Sequence, residues 1–267
     1  MQAAARDALK SERATWATHV VDLLRAAFPK PSSQTAAACI VLAPHIAAVA
    51  EHAPIAQPLS SLGAVTTNAG DAIQQYVNLS DVLTLFTAGM RIDERLAATD
   101  PGNAGWQRDL SVSQEKIGDV LVGQGNLPAA LDAFNASLAI RERLAQADPG
   151  NAGWQRDLSV SHNKIGDVLV GQGNLPAALD AFNASHAIFE RLAKADPGNA
   201  GWQRDLSVSH DKLGRIHEGA GRLDEAMVHY AADLAIAERL AKLDPGNATW
   251  AKDVEISRQR MQRLGRK

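Results

Sequence analysis

The sequence predicts an all-α chain built as a stack of antiparallel helix pairs. Three observations carry this. A 48-residue segment recurs in tandem. Within each copy, apolar residues recur at helical spacing on both sides of a Gly-Gln-Gly-Asn break. The composition is alanine-rich with only 4% aromatic residues, which suits close-packed helices better than a β-sandwich.

The period is read first, because a missed repeat misassigns a whole fold. Residues 100–147 and 148–195 differ at Gln114/His162, Glu115/Asn163, Leu138/His186, Arg141/Phe189 and Gln146/Lys194, so 48 less 5, or 43, positions are identical. Residues 196–243 form a more divergent copy. A degenerate copy precedes them, with Gly70 under Gly118, Phe86 under Phe134, and Ile92-Asp-Glu-Arg-Leu96 under Ile140-Arg-Glu-Arg-Leu144. The opening block DPGNAGWQRDLSVS is repeated letter for letter from Asp100, Asp148 and Asp196, and in altered form from Asp244.

In order along the chain, residues 1–54 are expected to form an N-terminal helical cap. Its helices lie at about 12–28 and 33–53, divided by Pro29-Lys-Pro-Ser-Ser33, and a linker with Pro54 and Pro58 follows at 54–61. Residues 55–267 hold the units, at about 55–99, 100–147, 148–195 and 196–243, then a capping helix at 249–264. That makes about eleven helices. In the best-defined unit the first helix runs from about Ala152 to Gly171, with Asn151 as N-cap and Trp154, Leu158, Ile165, Val168 and Leu169 on its apolar face. Glycine in Gly171-Gln-Gly-Asn174 supplies the left-handed stop. The second helix opens at Leu175-Pro176, where proline's missing N–H costs nothing, and buries Ala178, Phe182, Ser185, Ile188 and Leu192. Asp196-Pro-Gly-Asn199 is a strong turn. Each helix of about 20 residues is roughly 30 Å long. Gly118, Gly166 and Gly214 interrupt first helices at about 1 kcal/mol each; close backbone approach, with Ala130, Ala178 and Ala226 opposite, explains them. The Arg- and Gln-rich last helix fits a stack that ends facing water.

Ile165-Gly166, Leu169, Gly173, Ala178 and Phe182 have the spacing of the tetratricopeptide (TPR) motif, and residues 55–265 resemble that family. Its usual unit is 34 residues; the additional 14 lengthen both helices. The family's alanine after the aromatic is replaced by Ser137, Ser185 and Asp233. The resemblance implies a right-handed α-solenoid. The long unit is similar to repeats of kinesin light chains and to the C-terminal sensor repeats of bacterial STAND-class signalling ATPases. Trp16–Ala53 looks like the connector that precedes the latter. No P-loop is present.

Other chemistry is sparse. A net charge of −3 gives no expectation of nucleic-acid or anionic-membrane binding. The longest apolar run, Ala36–Ala50, contains Pro44 and His45 and reads as a core helix. The N-terminus lacks the apolar segment of a signal peptide. The single cysteine, Cys39, permits no intrachain disulfide, so a reducing, cytoplasmic setting is expected. Cys39 sits in an apolar helix, a poor setting for a nucleophile. The eight histidines show no metal-ligand spacing; His162 and His210 recur in register, about 10 Å apart on neighbouring pairs. Trp106, Trp154, Trp202 and Trp250 lie in register with the core and read as packing onto the preceding helix. The basic tail, Arg258 to Lys267, reads as a solvated cap or an acidic-partner contact. No enzyme motif, metal site or cofactor is expected.

The resemblance adds a candidate site, since in such arrays first helices line a concave groove. Carried onto this sequence, the rows are Arg108, Arg156 and Arg204; Glu115, Asn163 and Asp211; and Asp71, Asp119, Asp167 and Arg215. Spacings of seven and four residues put them on one helical face. A solvated face with internal ion pairing accounts for them equally well. The Glu115/Asn163 difference between otherwise matching copies favours ligand contact. The expected function is a non-enzymatic protein- or peptide-binding scaffold or sensor of a bacterial signalling protein. The alternative is a self-association module stacking through its repeats, and the expected state is a monomer or weak self-associate.

Overall fold

The computed structural model describes residues 78–265, together with Thr15, Val41, Gly63, Ala64, Thr67, Asn68, Gly70, Asp71 and Gln74. The expected helices at 12–28 and 33–53 and the linker at 54–61 lie outside the described residues, as does most of the first helix of the earliest unit. The described residues contain eight helices and no strand: α1 Leu79–Thr99, α2 Ala104–Gly123, α3 Leu127–Ala147, α4 Ala152–Gly171, α5 Leu175–Ala195, α6 Ala200–Gly219, α7 Leu223–Leu243 and α8 Ala248–Leu264. The expectation of about eleven helices included three more, which fall almost wholly on residues that are not described. None of the described helices is long and apolar enough to cross a membrane.

Local chemistry sets most of the boundaries. Asp100, Asp148, Asp196 and Asp244 each accept a hydrogen bond at Oδ1 from the backbone N–H two residues on, at 3.2 Å, which folds the Asp-Pro-Gly-Asn turn. The next asparagine caps the following helix: Asn103, Asn151, Asn199 and Asn247 accept from the N–H groups of Trp106, Trp154, Trp202 and Trp250. First helices α2, α4 and α6 stop before Gly125, Gly173 and Gly221, whose φ values of 76°, 78° and 74° favour glycine.

The chain divides into two bodies, Met1–Ile140 and Arg141–Lys267, with the boundary inside α3. In the first, Val82 and Phe86 of α1 pack with Ile117 and Val120 of α2 and Ala133 of α3. In the second, Ala178 and Phe182 of α5 pack with Leu213 and Ile216 of α6. Ile188, Phe189 and Leu192 of α5 take Trp202 and Leu206 of α6 against them, as the in-register tryptophans imply. Ala226 and Tyr230 of α7 are covered by Leu264 of α8. That last helix caps the body with one apolar edge.

The mid-helix glycines have a different partner from the one the sequence suggests. An added Cβ on Gly118 or Gly166 would lie 2.5 Å from the Phe134 or Phe182 ring, and one on Gly214 2.5 Å from the Tyr230 ring. Gly70 meets Phe86 in the same way. Ala130, Ala178 and Ala226 are fully buried, but the surface pressed on the glycine is aromatic. The ring lies flush with the helix backbone and locks each pair in register.

First helices also bury more polar groups than apolar spacing implies. Gln155, Ser159 and Ser161 are buried on α4 while Trp154, Leu158 and Leu169 are only half-buried. The Gln155 amide donates to the Ala145 carbonyl at 3.1 Å, as Gln203 does to Ala193 and Gln107 to Ala97. These glutamines satisfy carbonyls that helix ends leave open. Ser137, at the family's alanine position, donates to the Ser111 carbonyl at 2.8 Å. Asp233, at the same position, accepts from Ser207 and Ser257.

A Gly166→Ala substitution tests the ring contact. Helix propensity favours alanine by about 1 kcal/mol, whereas overpacking costs about 1–3 kcal/mol. The variant is expected to lose about 1–2 kcal/mol in urea unfolding, and Gly166→Ala combined with Phe182→Leu to regain part of that loss.

Candidate functional site

The repeated Arg-Asp dipeptide builds a ladder between successive copies. Arg156 of α4 donates through Nε to Asp205 Oδ2 at 2.6 Å, and through a terminal nitrogen to Oδ1 at 3.3 Å. Arg204 of α6 meets Asp253 of α8 in the same fork, at 2.8 and 3.3 Å. The carboxylate lies 49 residues ahead in both pairs, so each of these two arginines takes the next copy's aspartate. The bond to the carboxylate raises both guanidinium pKa values above their usual range. Arg108 is exposed on α2.

A second ladder runs the other way. Lys116 bonds Asp71 at 2.7 Å, and Lys212 bonds both oxygens of Asp167, at 2.6 and 2.7 Å. Here the lysine lies 45 residues after the aspartate. Asp119 and Glu115 are half-buried on α2. Arg215 breaks the pattern, because it stands where Asp71, Asp119 and Asp167 stand in the other copies. The residue 45 further on is Arg260, and the two cations cannot pair. Arg260 instead forms an ion pair with Asp211. Arg215 is exposed on α6, and among the described residues it enters no ion pair. Asn163, in the row of Asp211, is half-buried with its Oδ1 unpartnered among the described residues.

Two of the expected groove residues border one cavity. Asp167, Val170, Leu175, Phe182, Lys212, Arg215, Ile216 and Gly219 line a space of about 330 Å³ in the second body. Its walls join Val170, Leu175, Phe182 and Ile216 to the charged Asp167, Lys212 and Arg215, and Val170 is exposed. The Lys212 ammonium lies 5.2 Å from the Phe182 ring centre, within cation–π range. Arg215 supplies a cation that enters no ion pair among the described residues. Sequence spacing missed Lys212, Asp205 and Asp253; their signal was that both ladders step by one repeat.

The first body holds a smaller cavity of about 190 Å³, lined by Gly63, Ala64, Thr67, Asn68, Asp93, Asp109, Val112 and Ser113. Asp93 is buried and accepts from the Ser113 hydroxyl at 2.5 Å. Burial pushes its carboxyl up to about 6, against the opposing effect of the Ser113 bond. In the described part of the expected basic tail, Arg258 bonds Glu238 and Arg263 bonds Glu218, each at 2.6 Å; Arg266 and Lys267 lie outside the described residues. The described part forms the outer seam of α8 with α7 and α6. Among the described residues no three His, Cys, Asp or Glu side chains gather to hold a metal.

No protein-family model matches the chain, and no curated protein matches it. Among solved structures, BtubC (BKLC) from P. vanneervenii is similar, at 14% identity over 87% of this chain and 89% of that one, with a TM-score of 0.56. A putative kinesin light chain from Podosopora anserina with nearly identical TPR-like repeats aligns at 14% identity over 79% and 100%, with a TM-score of 0.45. MamA aligns at 17% identity over 67% and 81%, with a TM-score of 0.38. The BtubC likeness shows a shared fold. With the Gly–aromatic register and the TPR spacing, it makes this chain a TPR-like helical-repeat protein.

The raised pKa of Asp93 has a definite sign. The folded state holds this proton more tightly than the unfolded chain, so the group's stabilising contribution is present below about 4 and lost as pH rises through about 6. Asp93→Asn is therefore expected to stabilise the protein by about 1–2 kcal/mol at pH 7. The gain should vanish at pH 4, read from urea midpoints at the two pH values.

Proposed function

We propose that the chain is a non-enzymatic protein- or peptide-binding module, a scaffold or sensor within a larger bacterial, cytoplasmic signalling protein. Its ligand lies along the face presented by the first helices. Arg108, Arg156, Arg204, Glu115, Asn163, Asp211, Asp71, Asp119 and Asp167 frame that face, and Arg215 anchors it. The right-handed solenoid implied by the TPR resemblance belongs to this reading.

The observation that carries it is Arg215 beside the 330 Å³ cavity. Along both ladders charge is matched within the protein, so most row residues contribute charge pattern rather than free binding capacity. Arg215 keeps its charge for an incoming group, and Val170, Phe182, Leu175 and Ile216 offer an apolar seat beside it. Their joint complement is a peptide carrying an apolar side chain next to a carboxylate. Arginine is suited to the latter because its planar fork matches both oxygens.

Selection of random peptides on the full chain tests this reading. Recovered peptides should pair an acidic residue with a large apolar one. By fluorescence anisotropy, Arg215→Glu should weaken them about tenfold or more, as expected when a charge-assisted bond is lost and a like charge is introduced. Val170→Asp should weaken them as well. Unchanged affinity in both variants would remove the cavity from the binding face.

A further inference from the structure

Four histidines gather where α5, α6 and α7 meet in the second body. His186 of α5 and His210 of α6 have ring centres 4.5 Å apart. His229 of α7 lies 5.3 Å from His210 and 6.0 Å from His186. His217 of α6 stacks on His229 at 5.5 Å. One copy earlier the corresponding residues are Leu138, His162, Ala181 and Leu169, so this cluster belongs to the joint between the 148–195 and 196–243 units.

The hydrogen bonds determine which ring nitrogens carry protons. Ser209 donates its hydroxyl to the Leu206 carbonyl at 2.7 Å. His186 Nδ1, 2.9 Å from Ser209 Oγ, is therefore the donor in that pair. Arg222 Nε donates to His217 Nδ1 at 2.9 Å, so that nitrogen must be bare. His210 Nδ1 and His229 Nδ1 lie 3.0 Å apart, and one of them must be bare too. Protonating His217 sets two donors against each other across the turn that joins α6 to α7. Protonating both His210 and His229 does the same between those helices.

We propose that this cluster makes the joint between the 148–195 and 196–243 units acid-sensitive: neutral imidazoles hold α5, α6 and α7 together, and uptake of protons breaks the His210–His229 and His217–Arg222 contacts and loosens α7. A metal is not the occupant assigned here, since no three ligands converge among the described residues.

The electrostatic surroundings agree. Burial lowers the pKa of His186, His210, His217 and His229, with His210 pushed down to about 4 by burial and then by His186 and His229. The charged groups that reach the cluster are few. Glu190 of α5 favours the charged form of His186, and Glu225 of α7 does so for His217, while Arg222 opposes it. These pKa values are lower in the folded chain than in the unfolded one. The contribution to stability is thus full above about pH 6.5 and lost as pH falls through the folded values. Asp233, buried in the same body with a raised pKa, works in the opposite sense, so the histidine effect must be isolated by substitution.

The chain supplies its own control residues. Leu138 and Gln114 occupy the positions of His186 and His210 in the 100–147 copy, so His186→Leu with His210→Gln removes two rings using replacements the repeat already carries. Urea unfolding of the full chain at pH 8, 7, 6 and 5 is the measurement. Between pH 7 and pH 5 the unfolding constant of the unsubstituted chain should rise about tenfold more than that of the double variant. Parallel profiles would overturn the proposal. Histidine ring-proton NMR titration of the unsubstituted chain decides the matter independently of how the variant folds. Midpoints for His210, His217 and His229 below about 6.5 support the proposal, and midpoints at or above that ordinary value overturn it.

Discussion

Each helix pair depends on an aromatic ring lying against a glycine. Phe134 on Gly118, Phe182 on Gly166 and Tyr230 on Gly214 replace side-chain interdigitation with a ring pressed onto backbone. The contact fixes how closely the two helices approach and which residues face each other. With that register set, Ala178 packs with Phe182 and Ile216, and Leu175 and Phe182 reach the wall of the 330 Å³ cavity. The same register brings the glutamine of a first helix under the last carbonyls of the helix before it. The cost of glycine inside a helix is offset at each copy by burial of a large ring.

Exact copying has an electrostatic consequence. An Arg-Asp dipeptide repeated every 48 residues places Arg156 and Arg204 beside the aspartates of the copies that follow them, so within the second body the duplicated block is complementary to itself. The Lys–Asp ladder achieves the same with a backward step. Such surfaces are saturated by design of the repeat, and exposed pairs of this kind contribute about 0–1 kcal/mol each. Free chemistry arises where copying fails. Replacement of aspartate by Arg215 breaks one rung, Arg260 pairs with Asp211 instead, and Arg215 stands at a cavity that also holds apolar Val170, Leu175, Phe182 and Ile216. Replacement of Leu138 by His186 in the next copy contributes a ring to the histidine cluster.

Much of the helical architecture was legible because its causes are local. Asn151, Gly173, Pro176 and the Asp-Pro-Gly-Asn turns act within a few residues, and the bounds of α4 and the start of α5 agree with the sequence reading. Contacts across the repeat were harder. The glycine partner was misassigned to alanine because spacing gives a face but not the reach of a side chain. Gln155, Ser159 and Ser161 broke the apolar pattern because hydrogen bonds satisfy them where they are buried: Gln155 meets the Ala145 carbonyl and Arg191, Ser161 meets Arg141, and Ser159 donates to the Gln155 carbonyl of its own helix, none of which periodicity reveals. The groove rows were readable as positions on a face. Whether each charge was already paired depended on distances 45 and 49 residues along the chain.

The same local rules leave the joints between copies chemically distinct. Position 93 recurs at 141, 189 and 237 as Asp, Arg, Phe and Ala. Asp93 holds a costly buried carboxyl against Ser113. Arg141 is buried and donates to the Asp157 carbonyl and the Ser161 hydroxyl, both at 3.0 Å. Phe189 packs with Leu206 and Trp202, while Ala237 is buried beside a joint whose polar partner has moved to Asp233. In a repeat array, stability is a sum of unit terms and nearest-neighbour terms. Near-identical units make the unit terms nearly equal, so differences in opening between successive copies come from these joint residues. Phe189 joins its units by apolar burial that pH does not touch, yet that joint also carries the histidines. Its apolar and titratable contacts therefore respond to different conditions, and proton uptake can loosen α7 from α6 while the Phe189 packing against Trp202 and Leu206 stays in place.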